Sequence, residues 1–338
     1  MYKKASLVVD YHLNNKIFDI DDCAVNRDNY GYSIWLLKER LKAKGYELST
    51  CDINRPSDSE LVIYFDYPVN GIENTSAIKI LCLFENEIIK PENAPSSEFD
   101  AFDYILSWND NYLSIPNFRK FNYTHKLNRP YDFINAPSFG ERKLCALISA
   151  NKMVNHPLEL YSERQRAISW FENNAPEDFD LYGIGWDEFT NDGSFKNRLL
   201  NKLTPFSNFA KKTYPSYSGR VTSKNDTLRN YRYSICFENA SGFPGYISEK
   251  IFDSLMAGCI PVYLGAPNIS DYIPSGCYID FGVFSSYDEL HNYLVGVSED
   301  EFNSRQREIE RFLNSKESNQ FEANRFPDLI LQCLEDSL

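Results

Sequence analysis

The chain has 338 residues, 43% hydrophobic and 15% aromatic, and 48 Asp and Glu against 35 Lys and Arg give a formal net charge of -13. This supplies material for packed cores and more length than one core usually organises, so two domains of about 100 to 200 residues are expected. The acidic balance argues against sequence-independent nucleic-acid binding, which needs basic surface to displace counterions, and against adsorption to an anionic membrane; the positive contacts to any anionic ligand must then be local.

In chain order, SLVVD reads as a strand, its apolar run far short of a signal-peptide core or the about 20 residues of a membrane span. That predicts a cytoplasmic protein without a transmembrane segment. YSIWLLKERLKAKG places Ile34, Leu37 and Leu41 on one helical face and ends at Gly45, a natural C-cap. ELVIYFD, IKILCLF and FDYILSW are further strands, apolar enough to be covered on both faces, as in a parallel sheet between helices. The polar stretch 122–142, with two prolines and a glycine, suits a connection between domains.

A second alternation follows. RKLCALIS is a strand, LELYSERQRAISWFENN a helix with Leu160, Ile168 and Phe171 among its apolar positions, DFDLYGIGW a strand, TSKNDTLRNY a short helix and RYSICFE a strand. Helical segments around DELHNYLVGV, SEDEFNSRQREIERFL and FEANRFPDLILQCLEDSL close the chain. The expected organisation is an α/β domain over 1–140, a second over 141–315 and a helical tail over 316–338. The eight cysteines are scattered, without a CxxC or Cys/His cluster, and several lie in apolar runs, which predicts reduced structural thiols and no zinc site.

The stretch CFENASGFPGYISEKIFDSLMAGCIPVYLG, from Cys236 to Gly265, reads as strand, Gly/Pro loop, helix, strand. Ile251, Phe252, Leu255 and Met256 form the helix's buried face and Gly258 ends it. Such a unit presents its loop and helix N-terminus at the carboxyl edge of the sheet, where free N–H groups suit a phosphate. Ser248 can cap the helix and Glu249 fits its dipole, but Lys250 puts a cation at the positive end. Either a diphosphate belongs beside Lys250, or Glu249 and Lys250 are a solvated surface pair. Neither GxGxxG nor the P-loop spacing is present, so the residues alone lead to an anion site and no further.

The same stretch resembles the donor signature of the α1,3/α1,4-fucosyltransferases, glycosyltransferase family 10: Phe237-Glu238-Asn239, then Tyr246-Ile247-Ser248-Glu249-Lys250, then Ile260-Pro261-Val262-Tyr263-Leu264-Gly265. LFENEIIKPENAPSSEFDAFDYILSWND is similar to the family's N-terminal segment and ISANKMVNHPLELYSERQRAISWFE to the opening of its donor domain, so the likeness covers about residues 78–282. Ser248 stands where Thr is common and Gly245 where many members carry Asp. Neither the membrane anchor of animal members nor the heptad-repeat tail of some bacterial ones is visible. The departures bear on the acceptor and on membrane association; a bacterial-type protein peripheral to the inner membrane is compatible with them.

The resemblance implies a GT-B fold, two Rossmann-like α/β/α domains facing across a cleft, the C-terminal one holding GDP-fucose. It implies that Lys250 meets the diphosphate, that Glu249 and Tyr246 contact the sugar nucleotide with Asn239 in the same pocket, and that Arg164, preferred over Arg166, reaches the diphosphate; Glu238 is a weaker candidate. Glu85, in LFENE, is the implied general base for an inverting displacement, with Glu87 two residues on as the alternative. No metal and no obligatory cofactor are expected, with room for non-essential stimulation by a divalent cation. The implied reaction is α1,3 (or α1,4) transfer of fucose to a GlcNAc hydroxyl of an N-acetyllactosamine-type glycan, giving Lewis-type products. The alternatives are another GDP-sugar donor and a glycan-binding homologue without turnover.

Overall fold

The computed structural model describes residues 2–187 and 213–337. The described residues divide into two compact units, one built from Met1–Asn128, Phe243–Glu249 and Ser315–Leu338, the other from Arg129–Gly242 and Lys250–Asn314.

The first unit holds a six-stranded, all-parallel sheet of β1 (Lys3–Val8), β2 (Tyr46–Thr50), β3 (Leu61–Phe65), β4 (Ile78–Leu83), β5 (Tyr104–Ser107) and β6 (Phe118–Lys120), in the order β2-β1-β3-β4-β5-β6. All five residues of β3 are buried, as a strand covered on both faces requires. Helix α1 (Tyr32–Ala43) buries Leu37 and Leu41, whereas Ile34 is only half-buried. Its place is taken by Ser33, whose hydroxyl pairs with Thr124 Oγ1 at 2.8 Å.

On one face of the sheet, Val62, Tyr64, Leu81, Leu83, Phe99, Phe102 and Ile105 form a single apolar cluster. A second cluster is aromatic. Phe84 lies 4.8 Å from Phe65, 5.3 Å from Phe121 and 5.7 Å from Phe326, centroid to centroid. Phe326 belongs to the C-terminal stretch expected as a tail, and the Lys44–Glu335 bridge of 2.8 Å and the Arg40–Asp328 pair join that stretch to α1.

The second unit holds five parallel strands, β7 (Lys143–Ile148), β8 (Phe179–Tyr182), β9 (Tyr231–Phe237), β10 (Ile260–Leu264) and β11 (Ile279–Asp280), in the order β11-β10-β9-β7-β8. Helix α2 (Tyr161–Asn174) buries Ile168 and Phe171, the latter stacked 4.7 Å from Phe179, while Leu160 is buried one residue ahead of the helix. The short α3 (Lys224–Leu228) starts on a Ser223 cap and leads into β9.

Helix α4 (Glu249–Met256) follows β9 and buries Ile251, Phe252, Ser254 and Leu255. Met256 is half-buried, and the remaining inward position is polar because Ser254 Oγ bonds Ser234 Oγ on β9 at 2.6 Å. Gly258, at φ +64°, closes the helix before β10. Helices α5 (Tyr287–Gly296) and α6 (Glu299–Leu313) follow in this unit, each capped by a serine side chain, and α7 (Arg325–Asp336) belongs to the first. All eight cysteines are free thiols, six of them buried, and no helix among the described residues is long and apolar enough to cross a membrane.

Candidate active site

In the second unit the parallel pairing of β9 with β7 and β10 brings its carboxyl end, Phe237-Glu238-Asn239, to the sheet edge beside the start of α4. Arg164 reaches this edge from α2 and is only 4% exposed. Its Nε and Nη2 donate to Phe237 O at 3.2 and 2.7 Å, and Nη2 also donates to Glu238 O at 2.7 Å and Asn239 Oδ1 at 3.0 Å. The guanidinium lies over the Tyr161 ring, 4.8 Å from its centroid. Carbonyls at a strand end would otherwise be left to water, so one buried guanidinium both satisfies them and fixes the Asn239 side chain.

Glu238 is fully buried, and its Oε2 accepts from Lys250 Nζ at 3.3 Å. Glu238 thus supplies Lys250 with a counter-charge at the positive end of the helix dipole. Gly265, at the end of β10, makes room for it. A Cβ there would lie 2.5 Å from Glu238 Cγ and 2.6 Å from the Tyr263 hydroxyl oxygen, both locked in the interior. The Lys250 side chain keeps 20% exposure.

Arg164, Glu238, Asn239 and Lys250 thus come together. Arg166 does not: its side chain is 69% exposed and pairs with Glu163 at 3.0 Å on the outer face of α2, a solvated bridge worth little.

The remaining candidates group with the first unit. Tyr246 is 1% exposed, its ring 4.6 Å from Trp108 and 6.3 Å from Tyr123. The loop before it is pinned as well, since Asp110 N donates to Pro244 O at 3.1 Å and a Cβ on Gly245 would come 2.3 Å from Trp108 O. With φ at +82° this position excludes most side chains on two counts, which accounts for the glycine there. Glu249 is half-buried and opens α4, where its charge agrees with the helix dipole.

Glu85 is half-buried just beyond β4, with Asp66 Oδ1 accepting its backbone N–H at 3.0 Å. Glu87 shares no strand face with it. β4 ends at Leu83, and Asn86 Oδ1 accepts from Ile88 N and Ile89 N at 3.0 and 3.2 Å, folding the chain into a turn. Glu87 accepts instead from the Tyr112 hydroxyl at 3.2 Å, a phenol pushed up by burial and then by that carboxylate. Sequence reasoning missed Asp66, Asn93 and Trp108 around Glu85; the visible signal for Asp66 was a carboxylate closing the apolar run LVIYF.

Residues 197–323 match the family model described as "Glycosyltransferase family 10 (fucosyltransferase) C-term". The alpha-(1,3)-fucosyltransferase of Helicobacter pylori is 24% identical over 207 residues, 59% of this chain and 41% of that protein. GDP-fucose protein O-fucosyltransferase 3 of Bos taurus is 37% identical over 133 residues, 38% of this chain and 26% of that protein. The chain spans less than half the length of these curated relatives.

Among solved structures, an alpha1,3-fucosyltransferase with GDP aligns with a TM-score of 0.59 at 15% identity, over 99% of this chain and 90% of that one. Anabaena HepE, in complex with UDP and glucose, aligns with a TM-score of 0.55 at 11% identity over 99% and 100% of the two chains. At these identities the likeness is one of fold, and that fold is GT-B. Residues 197–323 are thus similar to the C-terminal domain of glycosyltransferase family 10, the fucosyltransferases, in a chain whose fold is GT-B.

Proposed function

We propose that the protein is an inverting fucosyltransferase that moves L-fucose from GDP-fucose to a GlcNAc hydroxyl of an N-acetyllactosamine-type glycan, forming an α1,3 linkage. The observation that carries this reading is the ordered edge of the second unit, where the exposed part of Lys250 stands beside buried Glu238 and Arg164 fixes Phe237-Glu238-Asn239. The names of the relatives, an alpha-(1,3)-fucosyltransferase and a structure with bound GDP-fucose, support the choice of donor.

In this mechanism Glu85 takes the proton of the acceptor hydroxyl as its oxygen bonds to the anomeric carbon of fucose. The bond from that carbon to the β-phosphate breaks, and GDP leaves with the electron pair. Lys250 and the α4 N-terminus face the charge growing on the diphosphate, where preorganised cations and N–H groups act more strongly than water. Arg164 keeps the Asn239 side chain in register for the donor. Those groups supply the positive charge that a metal ion gives other transferases, so no obligatory metal belongs to the proposal. Eight unpaired thiols suit a reducing, cytoplasmic setting.

The test is incubation of the intact chain with GDP-fucose and type 1 or type 2 N-acetyllactosamine, with the product linkage read by NMR. An α1,3-fucosylated type 2 product is expected; absence of transfer to every glycan offered would overturn the glycan reading. A second reading, a protein hydroxyl as acceptor, is favoured by the 37% identity to a protein O-fucosyltransferase and predicts transfer to a folded polypeptide in the same assay.

A further inference from the structure

A general base just beyond a strand end is held only as firmly as its backbone, and in this chain the main chain around Glu85 is tied down from several sides. Asp66, directly after β3, accepts on one carboxylate oxygen from Phe84 N at 2.7 Å, Glu85 N at 3.0 Å and Asn93 Nδ2 at 2.8 Å. The Asn93 amide also donates to Glu85 O at 2.8 Å, and its Oδ1 accepts from Tyr67 N at 2.8 Å. From the other side, Phe84 O accepts from Trp108 Nε1 at 2.7 Å and from the Tyr123 hydroxyl.

Two features set this apart from ordinary turn chemistry. Asn86 already closes the turn through Ile88 and Ile89, so Asp66 and Asn93 are not needed to form it. Asp66 itself sits at φ +60°, a backbone conformation that carries a local cost for any residue but glycine and that places its carboxylate under the β4 end. Asn93 is 1% exposed, with both ends of its amide in use.

We infer that Asp66 and Asn93 are positioning residues for the transfer reaction, a two-residue clamp that fixes the Phe84-Glu85 peptide and so the direction in which the Glu85 carboxylate is presented. The inference rests on the reading of Glu85 as general base. Its physical content is that a misplacement of about 1 Å at a catalytic group costs on the order of 100-fold in rate while ground-state binding is hardly affected. Asp66→Asn keeps the shape and an accepting oxygen but removes the charge that strengthens all three hydrogen bonds. Asn93→Ser removes both donors that join Asp66 to Glu85 O.

Steady-state kinetics of the full chain with GDP-fucose and N-acetyllactosamine test this, with Glu85→Gln alongside. For Asp66→Asn and Asn93→Ser the expected result is a kcat lower by about 10- to 100-fold with the KM for GDP-fucose within about twofold of wild type. A folded variant of either kind with wild-type kcat, or one whose kcat falls only together with a matching loss of donor binding, would overturn the clamp. If Asp66→Asn does not fold, Asn93→Ser decides. A wild-type chain without transfer, or full turnover in Glu85→Gln, would overturn the underlying reading and the clamp with it, an outcome distinct from an active wild type with an unaffected Asp66→Asn.

Discussion

At the scale of the residue, the account turns on the cation in the first turn of α4. Sequence alone showed a lysine opposed by the helix dipole and left its counter-charge open; the structure supplies Glu238, directly after β9 and 12 residues before Lys250. That partner was illegible because it depends on β9 and β10 lying side by side, where any side chain on Gly265 would collide with that of Glu238. Lys250→Ala is expected to weaken GDP binding by about tenfold or more, as the loss of a charge-assisted hydrogen bond implies. Because the truncation also takes the lysine charge away from a buried carboxylate, Lys250→Ala combined with Glu238→Gln is the control; it is expected to recover thermal stability but not GDP affinity. Glu85→Gln should behave in the opposite way, keeping GDP affinity in calorimetry while kcat falls by about 100-fold or more, in keeping with loss of a general base.

Elements show which signals a sequence carries. The strands β3, β4, β5, β7, β9 and β10 were legible because each is an apolar run of strand length, and the parallel sheets followed from their being buried on both faces. β2 and β6 were not. Ser49 and Thr50 in β2 are polar yet buried, with Asn15 Oδ1 accepting from Thr50 N at 2.9 Å, so their burial is satisfied by a side chain distant in sequence. β6 is three half-buried residues paired on one edge only, too short to show a period. The amphipathic pattern of α7 was visible but its seat was not: Phe326 enters the ring cluster of Phe65, Phe84 and Phe121. Phe326→Ala is therefore expected to cost about 3 to 5 kcal/mol, the range for emptying a buried aromatic site. Chemical denaturation of the variant would show this as a lower midpoint with little change in slope, whereas a midpoint equal to that of wild type would mean that α7 is not part of the first unit's core.

For the whole molecule, composition was informative chiefly through what it argued against, and the acidic balance directed attention to isolated cations. It could not show that the first unit is assembled from three separate stretches of chain, since that follows from long-range packing. The absence of a metal from the proposed reaction is a prediction at this scale, because the charge of the leaving diphosphate is assigned to Lys250 and the α4 N-terminus. Turnover in excess EDTA should stay within about twofold of that in its absence; a complete loss restored by Mg2+ or Mn2+ would show that those groups do not suffice. The central claim, that the edge built from Phe237-Glu238-Asn239 and Lys250 takes a guanosine diphosphate, is tested most directly by calorimetric titration of the intact chain with GDP, for wild type and Lys250→Ala. The account predicts saturable one-site binding by the wild type, weakened about tenfold or more in a folded Lys250→Ala variant; no heat of binding in the wild type, or equal affinity in the two proteins, would contradict it.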